Sequence, residues 1–326
     1  MQREDQVEPV KASGNPSPAI DTQPAQSPQP DLSAPTIISA QNMKAIAAMV
    51  AATMAFTMGD AAMKLVSSAV PTGQSVFLRC SGSVLMVAIA AAYAGVLGTI
   101  RQALVPMMAW RSLGDAGSAL FFQSALPRMT FADIMGVLQL TPLTLTAASA
   151  IFLGANVGWR RWCAVGAGLV GAMLVIKPGT TTFNVFALFA VMTVLCGTLR
   201  DIATRQIQGT ISPLVIMLLS QSLVALGALG LAVSETWVWP SLSHVLLLIF
   251  AAATTLIGHL WIIMSLRIGD IATVAPFRYA GIVWAILLGF MLWGELPDAL
   301  SFLGIAILIA AGLYTFHRER QHRQGQ

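Results

Sequence analysis

The chain has 326 residues, 56% of them hydrophobic and only 10% charged, against about 25% charged residues in soluble domains. Apolar stretches recur from Met43 almost to Tyr314, more than a water-soluble domain can bury, so a bundle of lipid-immersed helices is expected and a soluble enzyme is not. The net charge of +4 is scattered between the apolar stretches, with no basic stripe and no zinc-ligand spacing, which argues against a nucleic-acid partner and for orientation in a lipid bilayer.

Residues 1–42 are rich in Pro, Ser and Gln and bury too little to order themselves. They lack the basic start and apolar core of a signal peptide and read as a disordered cytoplasmic tail. Ten membrane helices follow, at 45–66, 72–93, 107–126, 130–153, 159–177, 183–206, 212–233, 243–265, 269–293 and 299–316, and 317–326 form a short cytoplasmic C-terminal tail. Most of these segments have the roughly 20 residues that a hydrocarbon core requires. Their continuous apolar runs exclude the alternating pattern of a barrel. The third helix, with Asp115, and the sixth, with Arg200, Asp201 and Arg205, are the least apolar.

With a cytoplasmic N-terminus, the inner segments receive Lys44, Arg101, Arg111, Arg160, Arg161, Arg200, Arg205, Arg267, Arg318, Arg320 and Arg323, and the outer ones only Lys64, Arg128 and Lys177. This inequality follows the positive-inside rule and puts both termini in the cytoplasm. Cys80, Cys163 and Cys196 lie singly within apolar segments without paired spacing. They read as buried filler, with neither a disulfide nor a structural metal.

The chain also repeats itself. "MTFADIMGVLQLTPLTLTAASAIFLGANVG" at 129–158 parallels "LRIGDIATVAPFRYAGIVWAILLGFMLWGELP" at 266–297, with Asp133 matching Asp270. Five helices per half is an odd number, so 43–179 and 183–316 would be inverted copies, a plan typical of secondary transporters.

Ionisable groups inside a bilayer cost several kcal/mol unless paired or wet, so they mark the candidate site. Asp60 and Lys64 share a helix face at i,i+4; Asp60 reads either as a proton or cation site or as half of a helix-end pair. Arg79 has no local acid. It would hold an anionic solute, pair with an acid of another helix such as Asp115, or snorkel outward. In the fourth helix Gln139, Thr141, Thr144 and Thr146 surround Pro142, whose missing N–H frees a carbonyl; the threonines either satisfy that break or face a polar solute. In the sixth, Asp201 and Arg205 form another i,i+4 pair while Arg200 points elsewhere, to an anchoring or a pathway position. His259 titrates near neutrality in water; it reads as a proton-coupling group or as a packed histidine, with no second metal ligand at helical spacing.

The ninth helix places Pro276, Arg278 and Tyr279 together. Arg278 offers a fork for carboxylate or phosphate and Tyr279 a ring and a hydroxyl, although Arg278 would equally serve as an anchor or pair with Asp270. Glu295, at a helix C-terminus unfavourable to acids, needs compensation from a neighbouring helix start or from Lys64. Small residues along the fifth and tenth helices allow close contact within the bundle or with a second protomer. No nucleophile elbow, P-loop, HExxH or dinucleotide fingerprint occurs, so no enzyme activity, cofactor or ATP engine is expected.

"LPRMTFADIMGVLQLTPL", "FLGANVGWRRWCAVGAGLVGAMLVIKPG" and "GDIATVAPFRYAGIVWAILLGFMLWGELPD", together with "FLRCSGSVL" and "TLRDIATRQI", resemble the drug/metabolite transporter superfamily, specifically its ten-helix EamA-type carriers. The resemblance covers the chain beyond the tail. It implies an all-α membrane protein of ten transmembrane helices in two inverted five-helix repeats, in the bacterial inner membrane. It also implies a central cavity lined by helices one, three, four, six, eight and nine, with helices five and ten free for a homodimer. Asp60, Asp115, Gln139, Thr144, Arg200, His259, Arg278 and Tyr279 lie on the cavity-lining helices; Arg79 lies outside them. The family's Leu-Gly-Glu step survives as Gly294-Glu295 but reads Leu153-Gly154-Ala155 in the first copy, against any mechanism that needs matched carboxylates. The function expected is alternating-access transport of a small polar or zwitterionic metabolite, in the branch of S-adenosylmethionine and riboflavin importers. A non-transporting membrane scaffold or accessory subunit is the alternative.

Overall fold

A computed structural model describes residues 40–154, 158–180, 183–207, 211–269 and 271–324, which are all-helical with no strand among them. The helices in chain order are α1 (Ala40–Val66), α2 (Thr72–Tyr93), α3 (Ile100–Ala103), α4 (Pro106–Ala125), α5 (Phe131–Leu138), α6 (Thr141–Leu153), α7 (Trp159–Ile176), α8 (Phe186–Gln206), α9 (Pro213–Ala232), α10 (Leu242–Ile268), α11 (Ile271–Val274), α12 (Ala280–Trp293) and α13 (Ala299–Gln324). Among the described residues, 8 helical segments are long and apolar enough to cross a membrane, and Ala299–Thr315 is a shorter apolar ninth. α4 has 20 residues but falls below that apolar threshold, since Arg111, Asp115 and Gln123 interrupt it.

The ends follow local chemistry. Pro106 and Pro213 open α4 and α9, where a missing N–H costs nothing and the fixed φ suits the first turn. The Thr130 hydroxyl accepts from Asp133 N at 3.3 Å to cap α5, and Ser241 does the same for His244 N ahead of α10. α6 and α12 both end on a left-handed glycine, Gly154 at φ 63° and Gly294 at φ 66°, a conformation that glycine adopts without a Cβ penalty. α13 continues to Gln324, past the expected stop at 316, because no glycine or proline lies between 313 and 324 and His, Arg, Glu and Gln extend the helix.

Two spans are interrupted. α5 gives way to α6 at Gln139-Leu140, ahead of Pro142, and a 3-10 turn at Ala275–Tyr279 separates α11 from α12. The Thr141 hydroxyl donates to Leu138 O at 2.7 Å, the carbonyl that Pro142 leaves without its helical donor.

α1 packs along α10, α4 along α8, α2 along α9 and α7 along α13, while α4 also meets α9, α2 meets α10, α1 meets α12 and α6 meets α8. Small residues allow the closest crossings. A Cβ on Gly114 of α4 would stand 2.7 Å from the backbone of α8, and one on Gly304 of α13 would stand 2.5 Å from Gly171 O of α7. The small-residue faces of α7 and α13 are therefore used against each other, inside one chain. The largest apolar core surrounds Phe131, with Met63, Leu126, Ile134, Leu143 and Leu308 fully buried; it joins the start of α5 to the end of α1 and to α13. Cys80 is buried and free, whereas Cys163 is exposed rather than filling the interior.

Candidate functional site

Polar groups inside the bundle gather where α1, α2, α4, α8, α9 and α10 face one another. The close approach at Gly114 brings Asp115 of α4 beside Arg200 of α8. Arg200 donates from Nη1 to Asp115 Oδ1 at 3.2 Å and from Nε to Asp201 Oδ1 at 2.9 Å. The three side chains stay 31%, 20% and 30% exposed, so the cluster is not sealed off by packing. Ionised groups within apolar spans persist when paired or facing water, and these are paired.

Arg111, four residues before Asp115, donates through Nη1 to Ser220 Oγ of α9, and Ser112 Oγ lies 3.4 Å from the same hydroxyl. It lies within electrostatic reach of Asp115, Arg200 and Asp201. Across the cluster, Arg79 of α2 is only 9% exposed. It reaches Thr255 Oγ1 of α10 at 3.4 Å and Cys80 Sγ at 3.6 Å. Asp60 of α1 is electrostatically coupled to Arg79. His259 Nδ1 stands 2.8 Å from Thr255 O; the carbonyl only accepts, so Nδ1 carries the proton. Its ring meets Phe56 edge-on at 4.9 Å, and it senses Asp115, Arg200 and Arg111. Thr144 of α6 and Thr198 of α8 share a 2.7 Å hydrogen bond.

Of the residues singled out from the sequence, Asp115 and Arg200 are thus brought together, with His259 within their electrostatic reach, Asp60 within that of Arg79, and Thr144 joined to α8. Gln139 caps α5 at the helix break, half-buried, with no side-chain hydrogen bond among the described residues. Arg278 is exposed, and its expected partner Asp270 lies outside the described residues. Tyr279 turns towards α13, where its hydroxyl stands 1.7 Å from the position of a Cβ on Gly312.

Three expected pairings are replaced. Lys64 bonds Glu295 instead of Asp60, because α12 brings a carboxylate closer than the helix's own face does. Asp201 pairs with its neighbour Arg200 instead of Arg205, which reaches Ser149 Oγ of α6 at 3.4 Å. Asp115 pairs with Arg200 instead of Arg79. Arg111 was visible only as an orientation charge, although its i,i+4 spacing to Asp115 shows a shared face.

The end of the bundle where α1 finishes is tightly closed. Glu295 accepts from Lys64 Nζ at 2.7 Å and from Phe131 N at 3.0 Å, at the start of α5. Both compensations expected for this acid are present. Lys64 also donates to Met129 O at 3.1 Å and lies 4.7 Å from the Trp293 ring centre. At the start of α2 Glu235, which the sequence did not single out, accepts from Gly73 N and Gln74 N at 2.9 and 3.0 Å. Each carboxylate meets the positive end of a helix dipole.

No family model matches the chain. It is 24% identical over 263 residues to the pseudopaline exporter CntI of Pseudomonas aeruginosa, a match covering 80% of this chain and 92% of that protein. Over 181 residues it is 25% identical to an S-adenosylmethionine uptake transporter of Rickettsia felis, covering 55% and 61% respectively. Over 176 residues it is 28% identical to a riboflavin transporter of Vibrio cholerae, covering 54% and 59%. A solved crystal structure superposes with a TM-score of 0.58 at 22% identity, over 83% of this chain and 96% of that one, and so shares the fold. The named relatives are transporters of small molecules and not enzymes.

Proposed function

We propose that the chain is a secondary transporter of the drug/metabolite superfamily, EamA type, moving a small polar or zwitterionic metabolite across the bacterial inner membrane by alternating access. On this reading ten spans form two inverted repeats, 43–179 and 183–316, with both termini cytoplasmic and no cofactor. The observation that carries it is the partly open Asp115–Arg200–Asp201 cluster with Arg79, Arg111 and His259 inside a wall of apolar helices. Charges held at such depth require a function or a partner, and the relatives supply the direction: each is a transporter.

The packing supports the repeat. If α5 and α6 count as one span and α11 and α12 as another, exchanging each span for the one five further on turns α1–α10 into α8–α4. The same exchange turns α2–α10 into α9–α4 and α1–α12 into α8–α6, and leaves α2–α9 and α7–α13 paired with themselves. Both interrupted spans end on a left-handed glycine at matching places. Two such halves can rock about a shared chamber, closing one end as the other opens. Gln139, Thr144 and Arg278 would then meet the solute as the broken spans move, Tyr279 would follow α13, and Asp60 or His259 would carry a coupled proton.

Counterflow in proteoliposomes tests this. With labelled S-adenosylmethionine, riboflavin and amino acids outside, at least one should accumulate faster when the same solute is preloaded unlabelled inside. Uptake no faster than in protein-free vesicles for a broad metabolite panel would overturn transport. Uptake without any acceleration by internal solute would overturn alternating access alone.

A further inference from the structure

Arginine carries five N–H donors, and the three chamber arginines spend theirs very differently. Arg200 has two ionic acceptors, Asp201 on Nε and Asp115 on Nη1. Arg111 has one hydrogen bond, to the neutral Ser220 hydroxyl, and its buried Nε has no partner. Arg79 makes two long contacts, to a hydroxyl and a thiol, and its Nε is likewise buried and unpartnered. Asp60 lies within electrostatic reach of Arg79, but no hydrogen bond joins the two. Neither Arg79 nor Arg111 has an acid within ion-pair distance among the described residues.

Leaving a buried guanidinium without acceptors is costly, and the two groups are linked through Thr255, which Arg79 reaches and which holds His259 within electrostatic reach of Arg111. Arg79 reaches in from α2 to α10 and Arg111 from α4 to α9. Cys80, in contact with Arg79, also lies within electrostatic reach of Asp115 on α4. The carboxylates of α4 and α8 are already held by Arg200, so among the described residues none is left to pair with Arg79 or Arg111.

We infer that the transported solute carries a carboxylate, which docks on the free donors of Arg79 and Arg111. The inference rests on the transporter reading above and narrows its substrate class. A guanidinium receives a carboxylate through parallel N–H donors, with geometry that an ammonium does not reproduce. Arg79 therefore belongs to the chamber wall, although it lies on a helix that the family resemblance sets outside that wall.

Two measurements on the full-length protein decide it. In proteoliposomes, labelled histidine, aspartate and citrate are presented beside their amide counterparts, with riboflavin as an uncharged probe. A transported carboxylate should move at least about tenfold faster than its amide, the loss expected when a buried ionic acceptor is removed. Arg79→Gln and Arg111→Gln should each erase that preference, and Arg111→Lys should restore part of it. Equal transport of acid and amide, or transport of riboflavin faster than that of every carboxylate, overturns the inference while leaving transport intact.

The second measurement is the melting temperature of the empty, detergent-solubilised protein. If these arginines wait for a ligand, replacing either by Gln removes an unsatisfied charge and should raise it by about 2–4 °C. A fall on both substitutions makes them structural and overturns the inference, even where no probe is transported. A panel in which nothing moves counts against the transporter reading instead.

Discussion

Two groups of buried cations in this bundle are treated in opposite ways. At the end where α1 finishes, Lys64 has a carboxylate, a backbone carbonyl and an aromatic face, and Glu295 has in addition a helix N-terminus. In the chamber, Arg79 and Arg111 rest on hydroxyls and a thiol with donors to spare. The first arrangement completes the hydrogen bonding of its charges and locks α1, α5 and α12 together. The second leaves its charges incomplete beside a partly exposed cluster. A membrane protein tolerates a buried ion for architecture only when its partners are built in; where they are missing, the ion points to something that comes and goes.

If that contrast is right, breaking the lock should cost far more than emptying the chamber. Glu295→Gln leaves Lys64, whose side chain is 6% exposed, without its anion, and should lower stability by about 3 kcal/mol, the low end for a broken buried pair because Glu295 itself is 29% exposed. The double variant Lys64→Met, Glu295→Gln should regain more than half of the loss, since Gln still accepts from Phe131 N and no orphan charge remains. Denaturation of the single and double variants measures both. A double variant no more stable than Glu295→Gln would mean that the helix-start bond, and not the ion pair, closes this end.

A smaller effect is expected where a candidate ligand residue has a packing role. A Cβ on Gly312 would lie 1.7 Å from the Tyr279 hydroxyl and 2.8 Å from its ring carbon. Gly312→Ala should therefore push Tyr279 away and cost about 2 kcal/mol as an overpacked contact. Tyr279→Phe in the same background should recover part of that cost, because the closest atom is gone. Tyr279→Phe alone should leave transport within about twofold if the hydroxyl only packs, a difference worth well under 1 kcal/mol. A tenfold loss would place the hydroxyl on the solute in another conformation of the broken span.

The sequence makes the bundle legible because burial in lipid imposes a length and a composition that few other solutions share. Pro142 announced a freed carbonyl, and Thr141 indeed satisfies Leu138 O. Glu295 announced a need for compensation, and it is met by the two partners named for it. Two of the three replaced pairings lost to a partner on another helix, and one to a neighbour on the same helix. Spacing along one helix favours Asp60 with Lys64 and Asp201 with Arg205, but the crossing of α1 with α12 brings Glu295 to Lys64, the crossing of α4 with α8 brings Asp115 to Arg200, and Asp201 turns to Arg200 beside it. Those crossings depend on glycines such as Gly114, whose role shows only when the opposing backbone is in place. Ser220 and Thr255, which receive the two free arginines, are hydroxyls among many and carried no local signal.

The smallest effect belongs to a pair at the edge, where neither closure nor chemistry depends on it. Lys177 Nζ donates to Asp298 Oδ2 at 2.5 Å, but the Asp298 side chain is 55% exposed, and screened pairs of this kind contribute about 0–1 kcal/mol. The Lys177 hydrogen bond, helped by Ser301 N on Oδ1, holds the Asp298 carboxyl below the ordinary aspartate value of 3.8. A depressed folded pKa gives stability that is complete above the unfolded value and lost as pH falls through the folded one. Between pH 5 and 8, therefore, the pair's contribution should be flat, about 1 kcal/mol at most by the same screening argument, and Asp298→Asn should lower stability by that constant amount. Below about pH 4 the two proteins should converge as Asp298 takes its proton, and high salt should shrink the gap at neutral pH. Convergence already at pH 6 would mean that a different group, deeper in the bundle, is the one titrating.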